Sequence, residues 1–322
     1  MPEASKDYPG NWREFHAWFA TEQACIEYLE KVRWPEGFVC PSCQEHAEPY
    51  RVSRSRLVCR ACRYQCTVTA GTIFEKTRTP LQVWLAAAWY ITNQKQGVSA
   101  LGLQRVLGLG SYQTAWTMLH RFRRAMVRSG RDKLQGTVEV DETYVAITDR
   151  TVGRSIKGKK SRTGHAFVAV AVEIIEPKGF GRIRLQRLER DSAEHVEPFI
   201  KGAVAPGSIV KTDGSAAYRS LASLGYDHRR SVMLGADVPA HVSLAGVHRV
   251  AALLQRWLMG THHGAVQPRH LDAYLDEFAF RFNRRKSGSR GMLFYRLMQQ
   301  ALETAPLTYE SVVSTQSKTA QA

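Results

Sequence analysis

Cys40-Pro-Ser-Cys43, then fifteen residues, then Cys59-Arg-Ala-Cys62: the fold of the first part of the chain is decided on this stretch. Its spacing sets out two C-x2-C knuckles. Two thiolates from each knuckle suit a tetrahedral Zn²⁺, and the segment between them folds back as a short hairpin. Four protein ligands leave no open position for a substrate water, so such a zinc is structural. Two disulfides are the other way to pair these cysteines, and the compartment decides between the two.

The 322-residue chain carries 45 Lys+Arg against 29 Asp+Glu, a formal charge of +16. That excess points to a polyanionic partner, with nucleic acid ahead of a membrane surface. The opening Met1-Pro-Glu-Ala-Ser-Lys-Asp has no apolar signal-peptide core. The longest apolar run, Leu81 to Thr92 with Gln82 inside it, is too short to span a bilayer. A soluble, cytoplasmic protein is predicted, and in reducing cytosol paired cysteines mean metal. Cys25 shares a helical stripe with Leu29 and Val32 and reads as core, and Cys66 reads as structural.

Outward from the knuckles, an amphipathic helix is predicted over 21–34, with Thr21 as N-cap and Pro35-Glu-Gly37 as its stop. The hairpin is rich in arginine (Arg51, Arg54, Arg56, Arg60, Arg63), a surface for phosphates or simply a solvated basic face. Thr79-Pro80 reads as the N-cap and N1 of a helix to about Lys95. Ser99 caps a short helix, Gly108-Leu-Gly110 turns the chain, and Ser111 caps a longer basic helix to about Arg128. This outline predicts a helix-turn-helix, with Tyr112, Gln113 and Thr114 facing base edges and Arg121, Arg123, Arg124 and Arg128 on phosphates. An ordinary helical hairpin with a basic outer face is the alternative.

From Thr137 the period changes. Val138 to Val145 reads as a strand, 148–164 as a basic loop, and Ala166 to Ile175 as a buried central strand. Arg182 to Leu188 alternates apolar and charged residues, as a strand with one wet face does. A helix over 191–204, a strand from Ser208 to Thr212 and a short helix over 216–224 follow. After an unpatterned stretch, 225–243, come helices near 244–258 and 269–284. The last ten or so residues read as disordered. Three strands, a helix, a strand, then helices is the order of a ribonuclease-H-like domain. There, carboxylates on the first strand and at the end of the fourth lie side by side, and Asp141 and Asp213 hold those places. Both are hard oxygen donors suited to Mg²⁺ or Mn²⁺, and paired ions can activate the attacking oxygen and stabilise the leaving oxygen of a phosphodiester. Turn-capping aspartates are the plain alternative.

Several segments together carry a resemblance. They are Tyr28 to Pro41, Ala70-Gly-Thr-Ile-Phe74, Ala115-Trp116 with Leu119-His-Arg121, and Gly136-Thr-Val-Glu-Val-Asp-Glu-Thr-Tyr144. Val210-Lys-Thr-Asp-Gly214, Val247-His-Arg-Val250, Trp257-Leu-Met-Gly-Thr-His-His-Gly264 and Tyr274 to Asn283 complete the set. Over residues 28–285 the chain resembles bacterial insertion-sequence transposases of the family fifteen-ninety-five, with a zinc ribbon and a DDE-type domain. The resemblance implies an α+β multidomain protein: an N-terminal helical segment (1–36), a zinc ribbon (37–69), a helix-turn-helix region (70–134), a ribonuclease-H-like domain with a mixed sheet (135–286), and a C-terminal helix and flexible tail (287–322). It implies that Asp141 and Asp213 hold Mg²⁺ or Mn²⁺, that terminal repeats and target DNA are the partners, and that the protein acts as a homo-oligomer at the bacterial nucleoid.

The family pattern also has a third polar residue on the helix before Gly260-Thr261, and a lysine seven positions later on the same face. Those positions fall on His248 and Gln255. His248 fits the histidine variant, although nitrogen suits Mg²⁺ less well than oxygen. Gln255 departs from the pattern, which sets a catalytically impaired DNA-binding remnant beside the active strand transferase. Between Asp237 and Asp272 there is no acid to substitute, and Asp276 and Glu277 read as solvated. His262, His263 and His270 read as structural or phosphate-contacting rather than zinc ligands, and Asn283-Arg-Arg-Lys286 as a phosphate contact.

Overall fold

A computed structural model describes residues 2–52, 55–128, 130–148, 163–177, 179–231 and 244–314. Arg54, most of the basic loop read over 148–164, and the last residues of the chain, read from sequence as a tail, lie outside those residues. The chain forms two compact units: Met1–Arg128 with Lys286–Ser314, and Ser129–Arg285.

In the first unit, α1 (Trp12–Trp18) is capped by Asn11, which accepts from the Arg13 and Glu14 N–H groups. The sequence pattern did not reveal this helix, because it is short and its polar residues break the stripe. Helix α2 (Glu22–Arg33) starts on Thr21 as expected. Strands β1 (Tyr50–Val52), β2 (Arg56–Val58) and β3 (Gln65–Cys66) form an antiparallel sheet. Helix α3 (Leu81–Asn93) buries residues around most of its circumference, as a helix at the centre of a bundle does. Its cap corrects the Thr79-Pro80 expectation. Pro80 holds the N-cap position with no side-chain bond, and the Glu22 carboxylate, arriving from α2, accepts from Leu81 N at 2.8 Å and Gln82 N at 3.2 Å. Helices α4 (Ala100–Leu107) and α5 (Tyr112–Ala125) start on Ser99 and Ser111, with Gly108 left-handed between them at φ 61°. The chain returns to this unit through α9 (Arg290–Glu303) and α10 (Tyr309–Ser314). Phe294 on α9 is fully buried among the rings of Phe15, Phe19, Tyr28 and Trp89, whose centroids lie 5.8, 5.9, 6.1 and 5.6 Å away respectively.

The second unit is a five-stranded mixed sheet of β4 (Thr137–Thr148), β5 (Thr163–Ile174), β6 (Phe180–Leu188), β7 (Ile209–Thr212) and β8 (Asp227–Arg230), in the order β6-β5-β4-β7-β8. Strands β4, β5 and β6 are antiparallel in turn, while β7 is parallel to β4 and β8 to β7. Strand β5 is central to this antiparallel trio, and Val168 to Val172 are wholly buried. One face of the sheet packs on α7 (Ala245–His262) and α8 (Leu271–Asn283), through Val145, Val168, Val170 and Val172. The other face, with Val138, Val140, Ala169 and Ala171, packs on α6 (Ala193–Ala203) and a 3₁₀ turn, Ala216–Tyr218.

Three expectations change here. The helix over 216–224 is a single 3₁₀ turn followed by further turns. The unpatterned stretch begins with β8, whose Asp-His-Arg-Arg offers no apolar alternation to read. On β6, Arg184 is buried rather than wet, and its guanidinium donates to the Asp132 carbonyl at 2.6 Å.

Candidate active site and metal centre

The four cysteines converge. Their sulfur atoms all lie within 4.8 Å of one another, with Cys40 Sγ 3.6 Å from Cys62 Sγ and Cys43 Sγ 3.7 Å from Cys59 Sγ. A disulfide needs about 2.05 Å, so neither pair is bonded. With Zn–S bonds near 2.3 Å, the edge of a tetrahedral Cys₄ site is about 3.8 Å, close to the spacing found. The two knuckles repeat one backbone design. Gln44 N donates to Cys40 O and Arg63 N to Cys59 O, and Gln44 and Arg63 are both left-handed at φ 61°. Phe38, Leu57 and Cys66 pack with Cys40 and Cys59 beneath the cluster, so Cys66 is structural. Cys25 is wholly buried, as core. Among the described residues no other group brings three such ligand atoms together this closely.

The carboxylates gather at the middle of β4, beside the end of β7. The ladder pairs Val138 with Val210 and Glu139 with Lys211. Continued at the same offset, it sets Asp141 level with Asp213. Because side chains alternate, Glu139, Asp141 and Val145 share the face that packs on α7, and Asp213 shares the parity of Lys211 on β7. Burial pushes the Asp141 carboxyl above the usual range, the Glu142 N–H pulls it back, and the charge of nearby Asp213 adds to the rise. Ser215 N donates to Asp213 Oδ1, and Glu142 N to Asp141 Oδ1, each at 2.9 Å. Glu142 turns to the opposite face, where it accepts from Tyr218 Oη at 2.5 Å. Burial raises Glu142 to about 7, opposed by the Tyr218 hydroxyl and reinforced by the charges of Asp191, Asp141 and Asp213.

Helix α7 is fixed against β4. The buried Glu139 carboxylate accepts from Gly246 N at 2.7 Å and Val247 N at 3.1 Å. Nine positions beyond Gly246, Gln255 Nε2 donates to Tyr144 O at 3.1 Å. His248 is exposed between these two ties, and its charge bears on Asp141 and Glu139. It is therefore not a buried structural histidine, yet it does not close with the two aspartates into a compact three-ligand cluster.

The expected DNA-facing residues divide. Tyr112, Gln113, Arg124 and Arg128 are exposed and Thr114 is half-buried, and Gln113 donates to Tyr309 Oη at 3.3 Å. Arg121 corrects the phosphate reading: its guanidinium donates to Leu307 O at 2.7 Å and Ile73 O at 2.8 Å. Arg123 is buried and is likewise withdrawn from the surface. Glu277, read as solvated, is buried against Arg281 at 2.7 Å. His262 packs its ring on Trp257 and Tyr274, and His270 is buried, consistent with structural roles.

Two family models match this chain: an ISXO2-like transposase domain over residues 133–283 and a transposase zinc-ribbon domain over residues 20–65. A Halobacterium salinarum protein described as an uncharacterized protein in transposable element ISH50 is 26% identical over 280 residues, covering 82% of this chain and 91% of its own. The chain belongs to the IS1595 family of transposases. In this IS1595-family transposase the Cys₄ cluster lies in the zinc-ribbon match and supports a structural zinc site, and both aspartates lie in the transposase-domain match. Sequence reading missed the parts played by Glu139, Glu142 and Tyr218. The parity of Glu139 with Asp141 was a usable signal, whereas the Tyr218 bond spans 76 positions and leaves no local trace. No helix among the described residues is long and apolar enough to cross a membrane.

Proposed function

We propose that this transposase cuts DNA at the ends of an insertion sequence and joins them to target DNA, with divalent cations held by Asp141 and Asp213. The placing of Asp141 on β4 beside the end of β7, where Asp213 follows and its charge reaches Asp141, supports this reading. Their chemistry fits the group. Two hard carboxylates sit close enough for one charge to raise the other, and such a pair is relieved by a cation. Bound there, Mg²⁺ or Mn²⁺ supplies charge neutralisation at the scissile phosphate and activation of the attacking oxygen. Asp141 and Asp213 hold the charge fixed, the Glu142 and Ser215 N–H groups orient their carboxylates, and His248 completes the polar edge on α7. The ribbon and α5 position the terminal repeat as a helix-turn-helix region does, with Tyr112, Gln113 and Thr114 toward bases and Arg124 and Arg128 toward phosphates. Two element ends must be paired, so the active form is a homo-oligomer on DNA at the nucleoid.

Gln255 favours a second reading, a copy that binds DNA without strand transfer. Its amide is tied to Tyr144 O and supplies no positive charge. One experiment tests both. Purified protein is incubated with DNA carrying its cognate ends and Mn²⁺. Nicking that Asp141→Asn abolishes supports the enzyme, and specific binding without nicking supports the second reading.

A further inference from the structure

The β4–β7 ladder stops at Glu139 and Lys211, two residues short of both aspartates. Asp141 is still held from its other side, opposite Val170 on β5. Asp213 lies past the end of β7, and the chain runs on through Ser215 into the 3₁₀ turn that ends at Tyr218. Main-chain pairing therefore does not fix one aspartate against the other. Among the described residues, the hydrogen bond that returns from this turn to β4 is Tyr218 Oη to Glu142 Oε1. Tyr218 is wholly buried in the core on the α6 face, so its hydroxyl has a fixed origin. Its acceptor is the residue whose own N–H orients Asp141, and its turn includes the N–H that orients Asp213.

We propose that Glu142 is a positioning residue and not a metal ligand: with Tyr218 it braces the segment after Asp213 against β4 and so sets the spacing of the two aspartates. This rests on the reading of Asp141 and Asp213 as cation ligands. Side-chain alternation supports the division of labour, since adjacent strand residues point to opposite faces. Of the two consecutive acids, Asp141 faces α7 and Glu142 faces Tyr218. Loss of an outer partner of this kind weakens metal binding by roughly 10–100-fold.

The test uses the full-length protein. Mn²⁺ uptake without DNA is followed by electron paramagnetic resonance, counting only uptake that Asp141→Asn removes. Thermal midpoints and the Mn²⁺ concentration for half-maximal nicking are measured alongside. Tyr218→Phe keeps the ring and removes the donor, and uptake should weaken about tenfold. Glu142→Gln keeps a carbonyl acceptor for the hydroxyl, and uptake should stay within about threefold of the wild type. The double variant should bind no more weakly than Tyr218→Phe alone. If Tyr218→Phe fails to fold, Glu142→Leu breaks the same bond from the strand side and must show the tenfold loss. Tyr218→Phe with a lower midpoint and unchanged uptake would overturn the brace. So would Glu142→Gln that loses as much as Asp141→Asn while Tyr218→Phe binds normally, since Glu142 would then be a ligand. A wild type with no Asp141-dependent uptake sinks the cation reading together with the brace, whereas unchanged uptake in Tyr218→Phe sinks the brace alone.

Discussion

Each knuckle cysteine has a sulfur neighbour under 4 Å away, so removing one leaves three crowded thiols without a closed coordination sphere. Cys43→Ser should therefore release zinc and unfold the region near 37–69. Metal content and protection of those amides from hydrogen exchange check this, and a folded, zinc-free variant would contradict it. Gln255→Lys tests the opposite change, a gain. If the missing charge is what limits this copy, the variant should nick end DNA in Mn²⁺ where the wild type does not. Glu173 gives a pH signature. Burial works against its ionisation, but Arg182 and the N–H groups of Arg182 and Gln135 outweigh it and hold the carboxyl below its usual range. Its ion pair with Arg182 spans 2.7 Å. A lowered folded value means the stabilisation is complete above the ordinary value of 4.5 and is lost as pH falls through the lowered one. Glu173→Gln should thus cost about 1–2 kcal/mol at neutral pH, and its gap from the wild type should narrow in acid.

Helix α7 meets β4 at a point with no room to spare. A Cβ on Gly246 would lie 2.8 Å from Glu139 Oε2 and 2.8 Å from Ile174 Cδ1. Gly246→Ala should cost about 1–3 kcal/mol in a denaturant melt, and the displaced helix should carry His248 away from β4 and lower any Mn²⁺-dependent nicking. Elements of this length were legible from sequence because their stripes repeat over several turns or along a full strand. The two antiparallel neighbours β4 and β5 and the caps at Thr21, Ser99 and Ser111 could all be read locally. What could not be read is set by distant residues. The cap of α3 comes from Glu22, about sixty positions away in sequence. Arg121 and Arg184 look like surface charges until the carbonyls they serve are in place. In the candidate site, Asp141, Asp213, His248 and Gln255 were visible through spacing and resemblance. Glu139 and Tyr218 stayed hidden because their partners depend on how the sheet and its helices assemble.

The first unit is discontinuous: it leaves the chain at Arg128 and regains it at Lys286. Phe294, brought by the returning segment, sits among rings contributed by residues 15–89. A chain ending at Arg285 should therefore lose the N-terminal bundle, and Phe294→Ala in the full chain should cost about 3–5 kcal/mol, both visible in thermal melts. An intact, cooperative N-terminal transition in the truncated chain would refute this. The same discontinuity imposes an order on synthesis. Residues 1–128 leave the ribosome well before their last packing partner exists, so a nascent or prematurely terminated product lacks a completed bundle. Under the DNA-binding role proposed for that unit, only fully translated molecules could occupy element ends, and aborted fragments would not compete with them for those ends.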